Sequence, residues 1–127
     1  MTMSKSIRIA LGAAALALTV TASGHAFGSG HENVFTFNGP VALPGVVLAA
    51  GSYSFGVASP TALDVVVVRN PKSGHVLYMG FASTVARPLG RANSASIAFG
   101  EAPSNQPRPI AAWYEIGSAT GHQFLYR

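Results

Sequence analysis

The chain has 127 residues, eight lysines and arginines against four carboxylates, and no cysteine. Without cysteine, a disulfide framework, a lipid-modified cysteine anchor and thiolate metal sites are all excluded. Only 9% of the residues are charged, against roughly 25% in soluble domains, so Ser, Thr, Ala, Gly and Asn must fill much of the surface.

The N-terminus reads as an address. Lys5 and Arg8 form a basic region, and Ile9 to Ala22 is an Ala-rich apolar run, too short for a comfortable transmembrane helix. Gly24-His25-Ala26 puts small residues at the −3 and −1 positions of a cleavage site. Residues 1–26 are therefore expected to be a secretory signal peptide, cleaved after Ala26, with Ala22 the weaker alternative. Residues 27–32 are expected to be a flexible leader and residues 33–127 a single β domain. Cleavage leaves no transmembrane anchor, and it removes Lys5 and Arg8. One lysine and five arginines then face four carboxylates, a net charge of +2. So small a charge argues against nucleic acid as a partner.

Val34 to Asn38 is the first expected strand, with Phe35 and Phe37 on one face. Gly39-Pro40 ends it. Pro44-Gly45 suits the centre of a type II turn, because Pro presets φ and Gly supplies a positive φ without steric cost. Leu48 to Gly51 then leads into Tyr53-Ser54-Phe55, which alternates at period two. Val65 to Val68 is a run of four β-branched residues, expected to be a central strand buried on both faces, with Asp64 and Arg69 as bracketing charges. Asn70 to Gly74 is a five-residue turn, so residues 65–79 read as a hairpin.

Phe81 to Val85 either extends that strand or starts another. Arg87 to Asn93 is a basic loop, and Ser94 to Phe99 alternates again. Glu101 to Pro109 carries three prolines and reads as an extended crossing. Ile110–Ile116 and His122–Tyr126 form the last hairpin, across Gly117 to Gly121. No helical period appears after the signal. The predicted fold is all-β, a single antiparallel β-sandwich or small closed barrel of seven to nine short strands. Most strands are too short to span a membrane.

Two patterns carry a resemblance. The first is Phe35-x-Phe37, Pro40-Val41-x-x-Pro44-Gly45, then Leu48-x-Ala50-Gly51-x-Tyr53-x-Phe55. The second is Ile97-x-Phe99-x-Glu101-x-Pro103, Ile110-x-Ala112-Trp113-Tyr114, Gly117, then Gly121-x-x-Phe124-x-Tyr126. Together they resemble a group of small, uncharacterised secreted bacterial proteins with a signal peptide and one all-β domain. The resemblance implies a fold and a compartment but no functional residue. Leu48, Gly51 and Tyr53 are also similar to the strand entry of Ig-like and carboxypeptidase-regulatory-like sandwiches. There the tyrosine hydroxyl bonds back to the backbone as a corner.

The candidate chemistry is sparse. His31, His75 and His122 lack partners at metal-ligand spacing, apart from adjacent His31-Glu32, so solvated histidines are expected rather than a metal site. No Gly-x-Ser-x-Gly elbow is present, and Glu101 and Glu115 read as solvated carboxylates rather than a glycosidase pair. No catalytic residue, cofactor or metal is assigned, and the chain is not expected to be an enzyme.

Arg87, Arg91 and Arg108 lie in loops on either side of one strand and could share an end of the fold, where they would meet an anionic glycan; the expected reading is three solvated arginines that keep a sparsely charged protein soluble. Trp113 is the other candidate contact residue. Strict alternation puts Ile110, Ala112, Tyr114 and Ile116 inward and Trp113 on the opposite face, partly covered by residues 102–109 with one ring edge accessible.

The sequence thus predicts an exported protein, periplasmic or extracellular. It would act as a non-catalytic structural or binding module of the cell envelope or exterior, with an envelope protein or a glycan as partner. The alternative is a small β-barrel carrying an apolar ligand in an internal cavity.

Overall fold

A computed structural model describes residues 20–23, 32–88 and 94–127. Most of the expected signal peptide, the leader up to His31, and Arg91 lie outside the described residues. The described residues form ten strands and no helix: β1 (Val20–Ser23), β2 (Asn33–Phe37), β3 (Val41–Leu43), β4 (Val46–Leu48), β5 (Gly51–Ser59), β6 (Ala62–Arg69), β7 (Val76–Ala86), β8 (Ser96–Phe99), β9 (Arg108–Tyr114) and β10 (Thr120–Phe124).

The strands neighbour one another in the order β1-β2-β5-β6-β7-β10-β9-β3-β4, with β8 paired to β9. The sheet is open, and every pairing is antiparallel except β3 with β9. The long strand β7 joins its two halves. Val76 to Phe81 pairs with β6, and Ala82 to Ala86 pairs with β10.

The turns form as their residues dictate. Pro44 and Gly45 connect β3 to β4, and Gly45 has φ 79°, the value that the third position of a type II turn requires. Asn70 organises the β6–β7 turn. Its Oδ1 accepts from the backbone N–H of Lys72 at 2.8 Å and of Ser73 at 3.1 Å. Its backbone N–H donates to the His75 carbonyl at 2.9 Å. Tyr53 makes the expected corner, its hydroxyl donating to the Ala49 carbonyl at 2.6 Å, with the ring half-buried rather than fully enclosed.

The core is aromatic. Phe35, Phe37 and Phe55 meet in a cluster with Leu43, Ile110, Trp113 and Phe124. Phe35 and Phe55 pack edge to face at 5.5 Å, and Phe55 reaches Trp113 at 6.1 Å and Phe124 at 6.4 Å. Val66, Val67 and Val68 are all buried, and because successive strand residues point to opposite faces, β6, which runs between β5 and β7, is covered on both faces there.

One expected face is corrected. Ile110 and Trp113 are both in the core, although three positions apart on a regular strand means opposite faces. A bulge is the reason. Ala98 pairs with Ala112, whereas the next residue, Phe99, pairs with Ile110, so Ala111 is extra and the alternation reverses across it. Ala112 and Tyr114 are nonetheless buried on the other face, and Ile116, expected inward, is exposed beyond the strand end.

Candidate functional site

The bulge in β9 decides what lies beneath the site. It turns Trp113 into the core, fully buried at 0% exposure, where its indole N–H donates to Asn33 Oδ1 at 3.1 Å. Its cover is therefore Asn33 and Phe55, with His122 stacked on it. His122 is its cross-strand partner on β10, and the two rings stack at 4.7 Å with 22° between their planes. Trp113 presents no surface to a ligand.

His122 marks the floor of a cleft instead. Its Nε2 lies 3.2 Å from Glu115 Oε2, and both side chains are mostly buried. The cleft has a volume of ≈ 510 Å³. One wall comes from the β5–β6 turn and the start of β6, with Thr61, Leu63 and Asp64. The other comes from Thr84 of β7, from Ser118 of the β9–β10 turn and from Thr120 at the start of β10. Two hairpin turns from the two halves of the sheet thus enclose a space lined by hydroxyls, two carboxylates and an imidazole. The Ser118 hydroxyl accepts from the Thr120 backbone N–H at 3.2 Å and faces the Thr120 hydroxyl at 3.4 Å. It serves the turn.

Arg87 builds this wall. Its guanidinium donates to the carbonyls of Glu115 at 2.7 Å and Ser118 at 3.2 Å, and also to that of Ser94. It lies 5.5 Å from the centre of the Tyr114 ring. Arg108 instead sits over Phe99 at 5.5 Å, at the start of β9. The arginine cluster predicted at one end of the fold is therefore not formed by these two. Arg87 holds the turn after β9, Arg108 begins β9, and seven residues of strand separate them by roughly 20 Å at about 3.3 Å per residue. Arg91, the third member, is outside the described residues.

A second polar group lies beside β5. Glu32 pairs with Arg69 at 3.3 Å and accepts from the Ser54 hydroxyl at 3.1 Å. Its side chain crosses Gly56 so closely that a Cβ there would stand 2.7 Å from Glu32 Cγ. Glu32, the last residue of the expected leader, is thereby fixed to the sheet. On β7, Leu77, Met79 and Phe81 point away from the core, and Phe81 is 66% exposed. Among the described residues no group of three or more His, Asp or Glu is placed to hold a metal ion. The described residues include no helix long and apolar enough to cross a membrane.

No family model, curated protein or solved structure matches this chain.

His122 and Glu115, expected as solvated groups, are paired in the structure. Their pairing follows from the register, in which Gly121 faces Tyr114 and His122 faces Trp113. The signal was the hairpin itself, once its turn is centred on residues 115–119 instead of 117–121.

Proposed function

We propose that this chain is an exported, non-catalytic binding module of the cell envelope or exterior, built as a two-layer sandwich. It takes a hydroxyl-rich glycan segment in the cleft above His122. The observation that carries the reading is the cleft. Asp64, Glu115 and His122 share its lining with the hydroxyls of Thr61, Thr84 and Thr120, a mixture of donors and acceptors suited to sugar hydroxyls. Leu63 offers an apolar patch to a sugar face.

The binding reading is preferred to a hydrolytic one because the Ser118 hydroxyl is committed to its turn and not to His122, whose Nε2 faces Glu115. It is preferred to the apolar carrier because the inward rings of Phe35, Phe37, Phe55, Trp113 and Phe124 pack against one another. The resemblance to small secreted bacterial proteins and the signal-like N-terminus support export.

The test is retention of the purified protein on isolated envelope polysaccharide. Asp64 and Thr84 are exposed, so Asp64→Ala with Thr84→Ala should change stability by only about 0.5 kcal/mol. Retention should fall several-fold. Retention of the double variant equal to that of the original chain would exclude the cleft as the binding site.

A further inference from the structure

The edge of the sheet at β2 is occupied by a piece of the expected signal peptide. β1 pairs with β2 in a continuous antiparallel register, Val20 with Phe37, Thr21 with Thr36, Ala22 with Phe35 and Ser23 with Val34. Val20 also packs against the core cluster to which Phe37 belongs. Processing after Ala26, or after Ala22, would remove that strand or all but its last residue.

The processed chain would then present the backbone donors and acceptors on one side of β2 without partners. It would also lose an apolar contact over Phe37. An open edge of this kind is a template for another strand.

We propose that processing of this protein creates a strand-acceptor site along β2, which is filled in trans by an extended segment of a partner protein running antiparallel to Asn33–Phe37. The inference rests on the export reading given above. Val20 specifies the partner. The segment places an apolar residue opposite Phe37, where it seals the core, and its backbone supplies the ladder. A second copy of this chain fits less well. In a β2-to-β2 pairing centred on Phe35, Asn33 would stand opposite Phe37, and Asn33 is already buried and engaged by Trp113.

The absence of cysteine makes a clean test available. Thr36 is exposed and stands opposite Thr21, and directly opposed residues on neighbouring strands are within disulfide reach. Protein carrying Thr36→Cys is recovered after export, its N-terminus is sequenced, and it is mixed with a synthetic peptide of residues 18–25 carrying Thr21→Cys. The expected result is an N-terminus at Phe27 or Ser23 and peptide capture at least tenfold faster than by protein carrying Lys72→Cys in the β6–β7 turn. A scrambled peptide should show no such preference.

Recovered protein that begins at its original N-terminus would overturn the export reading and the acceptor site with it. A processed N-terminus with equal capture at the two positions would overturn the acceptor site alone. Disulfide-linked dimers of the Thr36→Cys protein that exclude the peptide would overturn the trans-partner proposal in favour of self-pairing.

Discussion

Trp113 has two separable roles, as volume in the core and as a donor to Asn33. Trp113→Ala removes both and should cost about 3–5 kcal/mol in chemical denaturation. Trp113→Phe keeps most of the volume but leaves the buried Asn33 Oδ1 without its donor, for about 1–3 kcal/mol. Indole emission from the folded chain should be blue-shifted and resistant to iodide. A neutral Trp113→Phe would show that Asn33 finds another donor in the core. Sequence alternation placed this ring on the wrong face because one extra residue, Ala111, cannot be seen in a run of apolar residues. Alanine fits a bulge and a regular strand equally well. Tyr53 was legible for the opposite reason. Its hydroxyl reaches Ala49, four residues back, and an interaction that local needs no knowledge of the rest of the chain.

Among the elements, the β3–β4 and β6–β7 hairpins were the most legible, since both carry their own turn chemistry. Asn70 and Gly45 determine their turns with side-chain acceptors and positive φ whatever surrounds them. The site was not legible. Its walls come from the β5–β6 and β9–β10 turns, and only the pairing of β7 with both β6 and β10 brings those turns together. Within the last hairpin, Gly121 lies opposite Tyr114, whose ring covers it. An added Cβ would collide with that ring and approach the Trp113 carbonyl to 2.9 Å. The Arg87 guanidinium lies over the ring, 5.5 Å from its centre, and the carbonyl is backbone rather than the far end of a flexible side chain. Gly121→Ala should therefore destabilise the fold by about 1–3 kcal/mol, as overpacked sites do, read as a lower urea midpoint. An unchanged midpoint would mean that Tyr114 can swing away from the strand.

At the scale of the whole molecule, the C-terminal tail fastens distant strands. The Tyr126 hydroxyl lies 2.7 Å from the Ile110 carbonyl and 3.1 Å from that of Ala42, so it bridges β9 and β3. Burial, with the Tyr78 phenol nearby, pushes its pKa up to about 12 from the usual 10.0. Between those values the unfolded chain has lost the proton and the folded one keeps it. Stability is thus intact below pH 10 and falls as the pH rises toward 12. Tyr126→Phe should flatten this fall, leaving the part due to Tyr78, whose pKa burial also raises. Urea midpoints measured across the alkaline window check it, and identical slopes for the two proteins would remove Tyr126 as the cause.

The parallel pairing that this tyrosine spans has a kinetic consequence. Val41 pairs with Arg108 and Ala42 with Pro109, so β3 has its β9 partner only after nearly the whole domain has been made. Closing so long a loop has to be completed before the contact stabilises anything, and topologies dominated by such contacts fold slowly. The β3–β4 hairpin can form early, with only its own turn to hold it. The docking of β9 beside it, and with it the seating of Ile110 and Trp113 in the core, then becomes a late step in folding.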